Sequence, residues 1–277
     1  MTAVCVRVAG RIAPTRSFAL VAILVAGLVA SGCGGGGPGG GGALANPSAP
    51  SGTDGGYDIS WVQCGGSYPS SPAFGVVGVS HGLPFHDNPC VVDEYDWAAV
   101  ASYNVGWAAA ASYNVGFYFN TANPGSQSTH WTEPGPRACS GSSDDLGCAY
   151  NYGYNAARHA FKYTAAKTGA AAGTAWWLDI ETGNTWSTDV SSNRADIHGM
   201  LDYLNSQRGV TPGIYSTRAQ WAQITGGAVL ASTPVWLPST RKRSQPPTFC
   251  DSAHSLTGGP VTLVQYPAGS FDGDYAC

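Results

Sequence analysis

The sequence predicts an α/β protein, an irregular TIM-like (β/α) barrel with fewer helices than strands. Seven short apolar runs are each bounded by turn residues, and helix-forming stretches lie between some of them. Strands that alternate with helices indicate parallel βα units with right-handed crossovers. Seven or eight such strands favour closure into a barrel over an open sheet.

The predicted strands are nearly continuous in hydrophobicity, as is typical of strands buried on both faces. In chain order they are Tyr57–Trp61, Phe74–Ser80, Val115–Thr121, Ala175–Glu181, Thr211–Ser216, Pro234–Leu237 and Pro260–Tyr266. Two helices are predicted between them, Ala149–Lys167 and Ser191–Arg208, because apolar residues recur there at helical spacing.

Residues 1–32 are predicted to be a signal peptide. Three arginines precede an apolar run of 13 residues, Phe18–Ala30, which is shorter than the roughly 20 residues that a bilayer span needs. Cys33 follows small residues, as in the bacterial lipobox, so we expect cleavage before Cys33 and a lipid anchor on it. The alternative is simple cleavage and secretion to the cell wall. Either way the protein is expected to be exported, in the first case to the outer face of the cell membrane.

Residues 33–56 are rich in glycine, proline and serine and predict a flexible tether. Residues 57–277 are long enough for one large domain with a substantial core, which we expect to be a monomer. Without the three arginines of residues 1–32, which contain no acidic residue, the formal charge changes from −4 to −7. An acidic chain argues against nucleic acid as a partner.

Six cysteines remain after the leader, and an even number in an exported chain indicates disulfides. Six cysteines allow 15 pairings, of which nearness in sequence favours Cys64–Cys90, Cys139–Cys148 and Cys250–Cys277. The sequence contains no CxxC or HExxH motif, so we expect neither a metal site nor another cofactor.

Two carboxylates end the fourth predicted strand. Asp179 and Glu181 stand at i and i+2, which places them on one face with Cα atoms roughly 6.5–7 Å apart. In a barrel, that end of the strand is the active-site mouth. Two acids there repel each other and raise one pKa, which supplies a proton donor beside an anion for glycoside cleavage. A solvated strand end or a helix-capping acid is the alternative.

Further acids occur in the first and last apolar segments. Asp58 lies within the first predicted strand, where burial is costly without a task or a partner. Asp272 and Asp274 follow the last predicted strand. The ends of the first, middle and last strands of a closed barrel meet at one mouth, so these acids are expected to join Asp179 and Glu181.

The order of these segments resembles glycoside hydrolase family 25, the Chalaropsis-type lysozymes or muramidases. The segments are Asp58-Ile59-Ser60 with Gln63, Asp179-Ile180-Glu181, Ile214-Tyr215-Ser216 with Trp221, then Trp236, and Gln265-Tyr266 followed by Asp. The resemblance covers residues 57–277 and is greatest to exported, cysteine-containing actinobacterial relatives. It implies an irregular barrel that cleaves the glycan strands of peptidoglycan or a related polysaccharide.

Carried over by position, the resemblance implies that Glu181 is the general acid. Asp179 then tunes the charge of Glu181 or positions the substrate, Asp58 lies beside them, and Asp274 or Asp272 is the acid of the last strand. Side chains expected to bind substrate are Trp61, Gln63, Tyr118, Tyr215, Trp236 and Gln265. Core packing is the alternative role for the aromatic ones, as it is for Trp177 and Trp186.

Two other functions compete. The segment Gly78-Val79-Ser80-His81-Gly82 matches G-x-S-x-G, and Asp179 and His254 would complete a serine-hydrolase order. That motif must lead directly into a helix, which Leu83–Pro89 cannot begin. A non-catalytic module that binds cell-wall glycan on the same barrel is the stronger rival.

Overall fold

The computed structural model describes residues 53–101, 115–238, 240 and 242–277. Within them, eight strands form a closed barrel with four α-helices around it, which confirms the predicted irregular barrel. The strands are β1 (Thr53–Ile59), β2 (Gly75–Gly78), β3 (Val115–Asn120), β4 (Ala175–Asp179), β5 (Thr211–Tyr215), β6 (Val235–Leu237), β7 (Val261–Ala268) and β8 (Phe271–Ala276). The helices are α1 (Val91–Ala101), α2 (Leu146–Thr168), α3 (Val190–Asn205) and α4 (Arg218–Thr225).

Strands β1 to β7 pair in parallel in chain order, and β8 closes the barrel. Strand β8 follows β7 after a short turn and runs antiparallel to both β7 and β1. The seven predicted apolar runs overlap β1 to β7. We did not predict β8, α1 or α4. The acids Asp272 and Asp274, expected after the last strand, lie on a strand of their own.

Alternation along the strands divides the core into two layers. On β4, Trp176 and Leu178 pack in the large cluster that also contains apolar residues of the helices, whereas Trp177 belongs to a separate cluster with Phe74 and Trp236. Trp177 and Asp179 share a face because they are two residues apart. The aromatic side chains of this second cluster therefore fill the barrel below the level of the carboxylates.

Both predicted helices form, with shifted ends. Asp145 caps α2 by accepting a hydrogen bond from the Cys148 backbone N–H at 2.8 Å, and Gly169 ends the helix in the left-handed region at φ 71°. Helices α2 and α3 pack so closely at Gly199 that a Cβ there would lie 2.0 Å from the Tyr150 carbonyl oxygen.

Three disulfides, Cys64–Cys90, Cys139–Cys148 and Cys250–Cys277, confirm the predicted pairing. Strand β1 begins at Thr53, within the stretch predicted as tether. The predicted signal peptide, Cys33 and the rest of the tether lie outside the described residues. In the described part of the chain, no helix is both long enough and apolar enough to cross a membrane.

Candidate active site

The polar residues at the carboxyl ends of the parallel strands surround one cavity of about 170 Å³. Most come from the ends of β1, β3, β4, β5 and β7. Strand β8 contributes Asp272, because β8 runs antiparallel to β7 and β1 and its start lies beside their ends. The cavity is lined by Asp58, Tyr118, Asp179, Glu181, Tyr215, Trp236, Gln265 and Asp272. The structure thus brings eight of the predicted site residues together at the expected mouth of the barrel.

Asp179 ends β4 and lies in register between Asn120 of β3 and Tyr215 of β5. The Asn120 Nδ2 group donates a hydrogen bond to Asp179 Oδ2, while Asp179 Oδ1 has no hydrogen-bond partner among the described residues. Burial raises the pKa of Asp179 well above its ordinary value, and the neighbouring Glu181 carboxyl raises it further. The surroundings of Asp179 therefore favour its protonated form.

Glu181 lies two residues beyond Asp179 and is partly exposed. Its Oε1 atom accepts a hydrogen bond from Gln220 Nε2 at 3.3 Å, and its backbone carbonyl accepts one from Trp186 Nε1 at 2.8 Å. The backbone is thus fixed while the carboxyl is held by one long hydrogen bond. Of the two carboxyls, Glu181 is the more accessible from the cavity.

Asp58 on β1 lies directly opposite Asp272 on β8. The Gln265 Nε2 group donates to Asp58 Oδ2 at 2.9 Å, and the Tyr215 hydroxyl donates to Gln265 Oε1 at 3.2 Å. Burial raises the pKa of Asp58 to about 7, and the Asp272 carboxyl adds to the effect although the Gln265 bond opposes it. Asp58 is therefore expected to titrate near neutral pH.

Strand β8 gives its two acids different positions. Asp272 is exposed and lines the cavity, whereas Asp274 is fully buried and accepts a hydrogen bond from Trp236 Nε1 at 2.9 Å. Burial, together with the nearby Asp58 carboxyl, raises the pKa of Asp274 well above its ordinary value. Ionisation of both neighbouring carboxyls at once is therefore costly.

Two predicted substrate-binding residues lie elsewhere. Trp61 is 36% exposed and packs edge-on against His81, with ring centroids 4.1 Å apart. The Gln63 Oε1 atom accepts a hydrogen bond from the Ser60 backbone N–H at 2.9 Å and so caps the turn after β1. Neither residue lines the cavity, and Trp177 lies in the barrel core.

The structure does not assemble a serine-hydrolase triad. Helix α1 begins only at Val91, and His254 is hydrogen-bonded to Asp251 at 2.7 Å. The Ser80 hydroxyl instead donates to Asn120 Oδ1 at 2.9 Å. That bond turns the Asn120 amide nitrogen towards Asp179.

Asn120 is a site residue that we did not predict. The available signal was a polar side chain at the end of the third strand, where parallel strands present groups to the barrel mouth. Its partner, Asp179, is 59 residues away along the chain, and only the register of β3 with β4 brings the two together.

Sequence comparison finds lysozyme relatives for parts of the chain. Residues 144–251 match a family model described as Lysozyme-like protein 1. Two proteins of Dictyostelium discoideum align with shorter stretches. Probable GH family 25 lysozyme 3 is 31% identical over 93 residues, which are 32% of this chain and 18% of that protein. Probable GH family 25 lysozyme 4 is 41% identical over 61 residues, which are 22% of this chain and 28% of that protein. The alignments thus span less than a third of either relative.

Structural comparison covers more of the chain. The bacterial lysozyme of Streptomyces coelicolor superposes with a TM-score of 0.50 at 20% identity, covering 81% of this chain and 91% of that one. The barrel has the fold of that lysozyme. A muramidase from Trichobolus zukalii aligns with a TM-score of 0.47 at 20% identity, over 80% and 92% of the two chains.

Proposed function

We propose that the protein is a glycoside hydrolase that cleaves the glycan strands of peptidoglycan, as a muramidase does. The carboxyl cluster supports this proposal most directly, because Asp179, whose pKa is raised, stands beside the accessible Glu181 in one cavity. Cleavage of a glycosidic bond needs one protonated and one ionised carboxyl. The alignment with proteins named family 25 lysozymes supports the same substrate class.

In this mechanism Asp179 and Glu181 act as a pair that holds one proton. Glu181 delivers that proton to the glycosidic oxygen, because it is the partly exposed member of the pair. Asp179, oriented by Asn120, carries the negative charge of the pair while the proton is on Glu181. Such general acid catalysis contributes about 10²–10⁴-fold to the rate.

Asp58 and Asp272 supply negative charge from across the barrel. Strand β4 lies four positions from β8 in the order of eight strands, so the two groups of acids face the cavity from opposite sides. The transition state resembles an oxocarbenium ion, and a carboxylate on that side stabilises its positive charge. Two partly exposed aromatic side chains in the cavity wall offer faces for the sugar rings, Tyr118 and Tyr215, whereas Trp236 is only 2% exposed and packs in the core.

Release of reducing ends from purified peptidoglycan tests the proposal. We expect Glu181→Gln to lower the rate at least about 100-fold, because glutamine keeps the size of the side chain and cannot donate the proton. Asp96→Asn is the matched control, since Asp96 is an exposed acid on α1 outside the cavity. Equal release by wild type and Glu181→Gln would contradict the enzyme. Binding of peptidoglycan without release would favour the non-catalytic module.

We further propose that the barrel acts outside the cell, tethered to the membrane by lipid on Cys33. The proposal rests on the basic, then apolar, then small-residue pattern of residues 1–32 and on the glycine-rich residues after them. A clickable fatty acid should label the wild-type protein and not Cys33→Ala. Label that survives the substitution would contradict the anchor.

A further inference from the structure

A second cleft, outside the barrel mouth, has a volume of about 600 Å³. One wall is helix α2, and the other consists of the connections from β2 to α1 and from β3 to α2. On α2 the lining residues recur at i, i+3, i+4, i+7 and i+8, which is one face of a helix. These residues are Asn155, Arg158, His159, Lys162 and Tyr163.

We propose that this cleft binds a short peptide that carries free carboxylates, the class of peptide that crosslinks bacterial cell walls. The choice of wall peptides rests on the proposed function, because an enzyme that acts on peptidoglycan meets these peptides beside every glycan bond. The recognition itself is argued from the charges and the hydrogen-bonding groups of the cleft.

The cleft presents two cations that have no ion-pair partner among the described residues. Arg158 and Lys162 are one helical turn apart, and no carboxylate of the described residues forms an ion pair with either of them. The chain as a whole is acidic. Two unpaired cations on one helix face are therefore suited to the carboxylates of a ligand.

The opposite edge carries one acid, Glu133. The His130 Nδ1 atom lies 2.7 Å from Glu133 Oε1, and the His159 Nε2 atom lies 2.8 Å from Asp87 Oδ1. Glu133 lines the cleft and is about 40% exposed. A ligand with a carboxylate towards α2 and an ammonium group towards Glu133 would match both edges, and peptides with free termini or a diamino acid have this pattern.

A rigid aromatic surface borders the cleft. The Phe85 ring stacks on the His130 ring, with centroids 3.8 Å apart and planes 5° from parallel. Phe85 has a left-handed backbone at φ 62°, which is strained for a bulky residue and persists only where surrounding packing enforces it. That packing is the small cluster of Trp131, Cys148 and Tyr152, braced by the Cys139–Cys148 disulfide.

Asn155 leaves a buried acceptor unsatisfied in the wall of the cleft. Its side chain lines the cleft and is 1% exposed, and its Nδ2 group donates to the Pro134 carbonyl at 3.2 Å. Its Oδ1 atom has no hydrogen-bond partner among the described residues. Buried acceptors are normally satisfied, so this atom marks a place in the cleft wall where the described residues supply no donor.

Calorimetry with the full chain tests the site. The probe is the synthetic tetrapeptide l-alanyl-γ-d-glutamyl-l-lysyl-d-alanine, and the comparison peptide has its carboxylates amidated. We expect the double variant Arg158→Ala/Lys162→Ala, and separately amidation of the peptide, each to weaken binding at least tenfold. Arg208→Ala, which removes an exposed cation outside the cleft, should bind as wild type does.

Three results would overturn the proposal: no binding of the tetrapeptide, equal binding of its amidated form, or inorganic phosphate that binds the wild type as tightly as the peptide. Glu181→Gln should bind the tetrapeptide as wild type does, because Glu181 lies in the other cavity. Peptide binding without glycan cleavage would thus contradict the proposed enzyme and leave the peptide site supported.

Discussion

Glu94 makes the stability of the barrel depend on pH. It lies on α1 with no exposed surface, and its Oε2 atom accepts a hydrogen bond from Asn88 Nδ2 at 2.6 Å. Its Oε1 atom has no hydrogen-bond partner among the described residues. Burial raises the pKa of Glu94 from 4.5 to about 7, against the lowering effect of the Asn88 bond.

The size of the effect follows from linkage. A glutamate whose pKa is raised on folding ionises first in the unfolded chain, so the unfolded state gains stability as the pH rises from 4.5 to about 7. Each pKa unit corresponds to about 1.4 kcal/mol, which makes the loss in the free energy of unfolding about 3 kcal/mol above pH 7. Below pH 4.5 Glu94 is protonated in both the folded and the unfolded state, and it no longer lowers the free energy of unfolding.

Glu94→Gln should remove this part of the pH dependence. Glutamine has nearly the same shape and its amide oxygen still accepts from Asn88, but it does not ionise. Urea unfolding at pH 4.5 and pH 8 measures the difference, and the variant should lose about 3 kcal/mol less than wild type between the two. Asp96→Asn, an exposed acid on the same helix, should follow wild type. An equal loss in wild type and Glu94→Gln would refute the argument.

Three further predictions concern the site and the helices. Asn120→Ala should lower kcat on peptidoglycan about 10–100-fold. Its pH–rate profile should have the acidic limb at higher pH, because the Asn120 bond lowers the pKa of Asp179; an unchanged profile would contradict this. Trp236→Phe should reduce the free energy of unfolding by about 1–3 kcal/mol, since Asp274 loses its donor; an unchanged urea midpoint would contradict this. Gly199→Ala should destabilise by about 1–3 kcal/mol or more because α2 and α3 must separate, whereas Gly183→Ala, with open space around it, should leave the melting temperature unchanged.

The sequence predicts those parts of the protein whose signal is local. The apolar runs of β1 to β7 indicate strands without any knowledge of which strands they pair with. Asp179 and Glu181 share a face by alternation alone. The three disulfides also follow local order, because the paired cysteines are 26, 9 and 27 residues apart.

The features missed depend on distant partners. Strand β8 contains two aspartates, and Asp274 is tolerated in the core because Trp236, 38 residues away along the chain, donates to it. Helix α1 carries three acids among its 11 residues, and one of them, Glu94, is buried against Asn88.

The start of β1 was missed for a related reason. Its glycine-rich sequence is typical of a tether, but a Cβ on Gly56 would come within 2.0 Å of the Phe74 ring. Glycine here is required by close packing, and composition cannot distinguish that requirement from flexibility.

The antiparallel β8 has a consequence for how the protein is made. The side chains of Asp58 and Gln265 are hydrogen-bonded although the two residues are 207 positions apart in the sequence, and β8 lies between their strands. During synthesis, β1 leaves the ribosome early and keeps an open edge until residues 271–276 have followed it. Contacts at such long sequence separation slow folding, and an unpaired strand edge invites aggregation. The chain therefore gains its closed sheet and its complete set of carboxylates in one late event, and premature termination anywhere before β8 would remove both.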